Sequence, residues 1–237
     1  NDIIAEKCTS VQSLADMANR LGGYRNMAEN DLWVGAPLVV HNRCQRRVFN
    51  ISNKIAYNDK MIYATPDREQ AQCQWIHVRG NSQNGHYVPT QADAIRELVL
   101  KSFIAFAENQ DDTKKYPSLF IISPFRSVRA GIAAYFRKNL SDMLKQHNTV
   151  VSQDILRQWI RSCIGTIHTF QGKEADTVIL CLGVDSSGKS MGAVKWACER
   201  PNILNVAVTR SKGNLYIVGD QTIWGNKPFF KTALEIC

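Results

Sequence analysis

The stretch Gly165-Thr-Ile-His-Thr-Phe-Gln-Gly-Lys-Glu-Ala-Asp-Thr-Val-Ile-Leu180 joins two apolar runs through a short polar segment. The runs at 164–168 and 177–182 have the length and apolar character of buried strands. A turn between them would present backbone N–H groups around Gly172 to an anion, and Glu174 is placed to accept a hydrogen bond from a ribose hydroxyl. We therefore predict a nucleotide contact at Gly172, Lys173 and Glu174. A polar turn that merely links two strands is the alternative.

Regular alternation of strands and helices extends in both directions from this stretch. Apolar runs predict further strands at 74–78, 119–122 and 215–220, and apolar residues at helical spacing predict helices over 95–106, 128–144 and 202–211. Alternating strands and helices are typical of an α/β fold with a mainly parallel sheet. Functional residues of such folds lie at the carboxyl ends of the strands, which here means 123–126, 168–174, 183–190 and the region after Asp220.

Composition restricts the class of protein. The chain has 237 residues, of which 44% are hydrophobic and 21% charged, and its net charge is +8. An excess of positive charge favours a polyanionic partner, and no apolar run approaches the length of a membrane span. The seven cysteines form no C-x-x-C pair, so we expect no metal site, reduced thiols and a cytoplasmic location.

A second stretch makes the pattern specific to one family: Pro201-Asn-Ile-Leu-Asn-Val-Ala-Val-Thr-Arg-Ser-Lys-Gly-Asn-Leu-Tyr-Ile-Val-Gly-Asp220. Arg210 stands at the end of an apolar helix without a carboxylate at helical spacing, where its guanidinium could hold phosphate oxygens. Together the two stretches resemble motifs V and VI of superfamily 1 helicases, in the branch of the nonsense-mediated-decay helicase (superfamily 1B). The resemblance implies a three-layer RecA-like, P-loop NTPase-type domain.

Two further segments resemble the same family. The stretch His41-Asn-Arg-Cys-Gln-Arg-Arg-Val-Phe-Asn-Ile-Ser-Asn-Lys-Ile-Ala-Tyr57 is similar to motif IV. The usual form of that motif has a tyrosine and an arginine and then histidine-proline, where this chain has Asn42, Arg43 and Gln45-Arg46. The stretch Ile121-Ile-Ser-Pro-Phe-Arg126 resembles motif IVa, a strand that enters a loop touching nucleic acid.

The resemblance also assigns roles. It implies that the chain is the second RecA-like domain of a helicase that hydrolyses ATP while moving along single-stranded DNA or RNA. Arg43 and Arg210 would be the catalytic arginines that stabilise charge on the transferring phosphate. The nucleic-acid contacts would come from Ser123, Phe125, Thr166 and His168.

The same resemblance predicts how the chain is divided. Residue 1 is not Met, and we expect residues 1–36 to be a linker or remnant of a preceding domain and residues 37–237 to be the helicase domain. ATP and Mg²⁺ would be bound mainly by the preceding RecA-like domain, because its Walker A lysine, acidic pair and water-polarising glutamine are missing from this chain. The isolated chain would therefore be inactive as an NTP hydrolase.

One segment suggests a different protein. Gly183-Val-Asp-Ser-Ser-Gly-Lys-Ser190 matches the P-loop pattern G-x-x-x-x-G-K-[ST] and follows a predicted strand. Only one clear strand follows it, so a complete nucleotide-binding core would not fit behind it, and we interpret it as a polar loop. The rivals are a P-loop nucleotidase that uses Lys189 and a catalytically inactive nucleic-acid-binding module. ATP hydrolysis by the isolated chain, abolished by Lys189→Ala, would favour the first; an upstream sequence without a Walker A motif would favour the second.

Overall fold

Five parallel strands form the central sheet of the protein, which a computed structural model describes over residues 11–27, 30–35, 39–109, 113–188 and 190–237. The strands are β5 (Cys73–His77), β6 (Leu119–Ser123), β7 (Ile164–Thr166), β8 (Ala175–Cys181) and β9 (Ser211–Gly219), in the spatial order β5-β9-β8-β6-β7. Every neighbouring pair is parallel. The prediction of an α/β fold with a mainly parallel sheet is confirmed.

Helices cover the sheet in two groups. One contains α2 (Arg46–Ala56), α8 (Asn202–Val208) and α10 (Phe230–Ile236), in which α2 contacts the other two. The other contains helices packed in succession against one another: α3 (Pro89–Ala94), α4 (Arg96–Asn109), α5 (Arg126–Gln146) and α6 (Gln153–Cys163). These two layers leave Val178, Ile179, Leu180 and Cys181 of the central strand β8 at most 1% exposed, as expected for a parallel strand buried on both faces.

Shorter elements complete the chain. In order they are α1 (Val11–Ala18), β1 (Gly22–Met27), β2 (Asn30–Gly35), β3 (Val40–His41), β4 (Ile62–Tyr63), a 3₁₀ helix (Ile167–Phe170), α7 (Met191–Cys198) and α9 (Gln221–Trp224). None of the helices that the structure describes combines the length and the apolar character that a membrane span requires.

The chain divides into two compact units, Asn1–Val40 and His41–Cys237. In the first, β1 and β2 form an antiparallel hairpin, and the indole N–H of Trp33 donates to the backbone carbonyl of Asp16 over 2.9 Å. The second unit contains the sheet and its helices. The assignment of residues 1–36 to a preceding domain stays a prediction.

Three predicted boundaries are wrong. The strand at 164–168 ends at Thr166, and His168 lies in the 3₁₀ helix. The helix at 202–211 ends at Val208, after which the N–H of Arg210 donates to the Ala207 carbonyl in a tighter turn over 3.2 Å. Strand β9 therefore begins at Ser211, ahead of the predicted 215.

One pair of cysteines contradicts the prediction of reduced thiols. Cys73 in β5 and Cys237 after α10 form a disulfide across 164 residues, with their Cα atoms 4.9 Å apart. Cys44, Cys163, Cys181 and Cys198 are free and buried. The cytoplasmic location inferred from reduced thiols stays a prediction.

Candidate nucleotide and nucleic-acid site

The predicted nucleotide residues lie together at the amino edge of the sheet. Glu174 immediately precedes β8 and Arg210 immediately precedes β9, and the N–H of Ala175 donates to the carbonyl of Arg210 over 2.9 Å. Arg43, just before α2, places its Nε 3.0 Å from Glu174 Oε2. Because β8 and β9 are parallel neighbours, residues 36 positions apart are brought side by side. The sequence had placed 168–174 at the carboxyl ends, but the chain crosses the sheet before β8 begins.

Backbone carbonyls hold the Arg210 side chain. Its Nε donates to Val206 O over 3.0 Å, and its Nη1 donates to Lys173 O over 3.0 Å and to Phe170 O over 3.4 Å. Among the ion pairs of the described residues, none involves Arg210. Burial, and then the neighbouring Arg43, lower the pKa of this guanidinium. Arg210 thus braces the turn that carries Gly172 while its full positive charge stays uncompensated by a direct carboxylate partner.

The ion pair of Arg43 and Glu174 is of a different kind. The two side chains are 43% and 45% exposed, and exposed pairs of this type contribute only about 0–1 kcal/mol. Lys212 also approaches Glu174, with 3.7 Å between Nζ and Oε1. Arg43 can therefore exchange its carboxylate for a stronger anion at low cost.

Gly172 provides the conformation of the turn. Its φ is +81°, in the left-handed region that favours glycine. A Cβ at this position would meet nothing within 4 Å, so the requirement comes from the backbone rather than from packing. Gly172, Lys173 and Glu174 are all exposed.

The departures from the usual motif IV have local structural roles. Gln45, which is buried, accepts from the Arg68 N–H over 2.8 Å and donates to Pro66 O over 3.1 Å. Arg46 pairs with Asp67 at 2.9 Å and lies over the Tyr63 ring. These contacts fix the loop before α2, in which Arg43 is directed at Glu174.

His41 fastens the other end of this loop. Its Nε2 accepts the N–H of Cys44 over 2.8 Å, which requires Nε2 to be unprotonated. Burial, and to a smaller extent Arg43, lower the pKa of His41. Burial also raises the pKa of the Cys44 thiol to about 12, so this cysteine stays protonated.

Acid should weaken the hydrogen bond that His41 accepts from the Cys44 N–H. Folding lowers the pKa of His41, so at acid pH the unfolded chain binds a proton at His41 more readily than the folded chain does. The stabilisation that neutral His41 provides is therefore lost as the pH drops below about 6.5. We expect the wild type to lose roughly 1 kcal/mol, the value of one hydrogen bond, between neutral and acid pH, beyond any loss in His41→Gln. Urea unfolding of both proteins at neutral and acid pH measures the difference. Parallel pH profiles would contradict it.

The predicted nucleic-acid residues lie at the opposite, carboxyl edge. Ser123 at the end of β6 pairs in register with Thr166 at the end of β7. Thr166 is partly exposed and His168 is exposed, whereas Ser123 and Phe125 are only 1% and 7% exposed. The Ser123 hydroxyl accepts the Phe125 N–H over 3.2 Å, and the Phe125 ring packs on His86 at 4.7 Å. In this conformation only Thr166 and His168 present side chains to a ligand, and the contacts of Ser123 and Phe125 stay predictions.

The loop at 183–190 joins β8 to α7, the strand–loop–helix context that a P-loop needs. Several of its amides, however, are used within the protein: the N–H of Gly183 donates to Gln91 Oε1 over 2.9 Å and that of Val184 to His86 O over 2.9 Å. The N–H of Ser187 donates to Asp185 Oδ1 over 3.1 Å. Hydrogen bonds from Ser187 and Ser82 hold the pKa of Asp185 well below its usual range. A fixed carboxylate at the centre of the loop repels phosphate, which argues against a nucleotidase. Lys189 lies outside the described residues.

Sequence reasoning missed one exposed group. No motif in the sequence pointed to Trp196, yet it is 49% exposed. Helical spacing could have indicated this, because Val194, Ala197 and Cys198 form the buried face of α7 while Lys195, Trp196 and Glu199 are exposed.

A site for ATP with Mg²⁺ needs oxygen ligands for the metal and cationic groups for the phosphates. Among the described residues, no group of three or more His, Cys, Asp or Glu could hold a metal ion. The amino-edge cluster instead offers cationic donors, Arg43, Arg210, Lys173 and Lys212, which match phosphate. The residues present therefore fit the nucleotide's anionic end rather than its metal.

Known proteins resemble this chain over most of its length. A family model described as "AAA domain" matches residues 34–222. The chain is similar to the arterivirus nonstructural protein 10 (helicase), with 16% identity and a TM-score of 0.35 over 78% of this chain and 26% of that one. It is also similar to the C-terminal domain of a possible DNA helicase from Lactobacillus plantarum WCFS1, with 11% identity and a TM-score of 0.39 over 81% and 93%. At TM-scores this low, neither likeness supports an inference about this chain.

Proposed function

Because the chain belongs to the AAA domain family, we propose that it acts as the second RecA-like domain of an ATP-dependent helicase of superfamily 1, in the superfamily 1B branch. The observation that carries the proposal is the convergence of Arg43 and Arg210 on the amino edges of β8 and β9. Two arginines from segments far apart in sequence meet there, and among the residues that the structure describes only Arg43 has a carboxylate partner.

In this proposal Arg43 and Arg210 have different roles. Arg43 gives up its exposed pair with Glu174 and donates to a phosphate oxygen, because a charge-assisted contact to phosphate is stronger than an exposed ion pair. Arg210, already positioned by carbonyl groups, stabilises the charge that develops on the transferring phosphoryl group. Glu174, freed from Arg43, can accept from a ribose hydroxyl beside Gly172 and Lys173.

ATP with Mg²⁺, when held by a preceding RecA-like domain, supplies the phosphoryl group and the metal-bound charge. This chain contributes the arginines from across the cleft and is incomplete for hydrolysis alone. The carboxyl edge, with Thr166 and His168 outermost, contributes the surface for single-stranded DNA or RNA.

The carboxyl edge should bind single strands through phosphate contacts. We expect the logarithm of the binding constant of the 237-residue chain to fall linearly with the logarithm of the salt concentration. Arg126→Ala, at the first residue of α5 beside this edge, should lower the slope by about one. Fluorescence anisotropy with a labelled single-stranded DNA and the matching RNA measures this.

Arg68→Ala is the matched control, because exposed Arg68 lies at the amino edge near Asp176, with 3.7 Å between Nη1 and Oδ1. It removes the same charge and should leave the slope unchanged. Equal slopes for all three proteins, or no binding at low salt, would contradict the proposed surface.

A further inference from the structure

Trp196 is the outermost member of an aromatic cluster at the carboxyl edge of the sheet. Its ring lies 6.2 Å from the buried ring of Phe125, which in turn lies 6.4 Å from that of Trp224. Of the five tryptophans, Trp75, Trp159 and Trp224 are buried, whereas Trp196 is 49% exposed. Within the part of the chain that the structure describes, no hydrogen-bond partner is found for its indole N–H. A large rigid ring is thus presented to solvent on a packed base.

The groove beside this ring is basic and apolar. It has a volume of about 740 Å³, and Trp196 and Met191 provide exposed apolar surface in it. Lys195 and Lys227 line the same groove, with Glu199 as the acidic residue of its lining. An exposed aromatic face in a groove with cationic side chains is the combination that single-strand-binding proteins use, where bases stack on rings and lysines neutralise phosphates.

The position of the groove connects it with the proposed strand surface. Helix α7 follows the carboxyl-end loop of β8, and Phe125 follows the carboxyl end of β6. Thr166 pairs with Ser123 on the other side of β6. Trp196 and Thr166 therefore flank the end of one strand, and a single strand that crosses this edge passes both.

We propose that Trp196 is a stacking platform for one base of the bound single strand, with Lys195 and Lys227 contacting the adjacent phosphates. This inference rests on the proposed function and adds to it a residue that contacts a base rather than the sugar-phosphate backbone. Stacking needs a base, so the contribution of Trp196 depends on the ligand having one.

The test crosses two proteins with two ligands. Wild type and Trp196→Ala are titrated with an oligothymidylate and with the same backbone carrying abasic sites. For oligothymidylate, Trp196→Ala should weaken binding by about 5- to 150-fold, the cost of losing one base–aromatic stack. For the abasic strand the two proteins should bind alike. Trp196→Phe should retain most of the affinity because a phenyl ring also stacks.

The other outcomes are distinct. Unchanged affinity of Trp196→Ala for oligothymidylate, with wild-type binding still salt-dependent, overturns the stacking role and leaves the proposed function standing. An equal loss with both ligands also overturns it, because the effect would not depend on bases. Wild type that binds neither ligand overturns both proposals. Dimerisation of wild type that is lost in Trp196→Ala, measured by light scattering, would assign the groove to a second copy of the chain.

Discussion

Replacing Arg210 by alanine in an intact helicase that contains this domain is expected to lower the rate of ATP hydrolysis by roughly 10³–10⁵, the cost of losing an arginine finger. ATP binding should be largely retained, because the interaction matters most when charge develops on the transferring phosphate. Steady-state hydrolysis stimulated by single-stranded DNA or RNA measures the rate, and equilibrium binding of a non-hydrolysable nucleotide measures the affinity.

The reason lies in how the guanidinium is held. Carbonyls of Val206, Phe170 and Lys173 fix its plane, so little freedom is lost when it meets a phosphate. Arg210→Lys should rescue little, since one ammonium group cannot both satisfy these carbonyls and reproduce a two-pronged contact.

A structural contribution of Arg210 must be separated from a catalytic one. Arg210→Ala also removes the brace of the turn at 170–173, so thermal unfolding of each variant is measured beside the rates. Arg68→Ala is the control for loss of one positive charge at the same edge and should hydrolyse ATP at the wild-type rate. Near-normal rates in Arg210→Ala and Arg210→Lys would mean that Arg210 is structural and that the motif VI assignment misleads.

Replacing Trp159 by alanine is expected to lower the free energy of unfolding by about 3–5 kcal/mol, the usual cost of truncating a buried aromatic residue. Trp159 is fully buried in α6, and its indole N–H donates to Leu119 O at the start of β6 over 3.1 Å. Phe103 and Phe136 pack edge-on against it, at ring separations of 5.0 Å and 5.9 Å. The substitution leaves a cavity between two helices and the sheet and removes the hydrogen bond to the Leu119 carbonyl.

Trp196→Ala is the matched control, because the same side chain is removed from a site that is 49% exposed. Its cost should be about 1 kcal/mol or less, as for most surface substitutions. Urea unfolding of the two variants gives the comparison. Equal destabilisation by both would contradict the distinction between a core tryptophan and a surface one.

The strands that sequence reasoning located best are those with the simplest burial. β6 and β8 are covered on both faces, so they appear as continuous apolar runs in the sequence. Strand β9 begins with Ser211 and Gly213, which carry no such signal, and Ser211 was assigned to the preceding helix. Helix α6 was not predicted, although Leu156, Trp159, Ile160 and Cys163 follow helical spacing and Ser152 caps its start. The hairpin of β1 and β2 was not predicted either.

The site shows a different division between sequence and structure. The pairing of Arg43 with Glu174 spans 131 positions and depends on tertiary structure, so nothing in the sequence predicted it, although both residues had been named as site residues. The disulfide of Cys73 and Cys237 is beyond any spacing rule for the same reason. Glu174 lies at the amino edge of β8 because the chain crosses the sheet after Thr166, and the sequence pattern does not indicate this crossing.

The two edges of the sheet have a mechanical consequence. Strand β8 spans seven residues, so roughly 20 Å separates Glu174 before its start from the loop after its end. Its backbone is hydrogen-bonded to β6 and β9 and its side chains from Val178 to Cys181 are buried, so we expect it to move as one piece with the sheet. If the amino edge handles the nucleotide and the carboxyl edge grips the strand, no hinge lies between them. The domain would then transmit force as a rigid body, and the length of each translocation step would be set by the rotation of the whole domain.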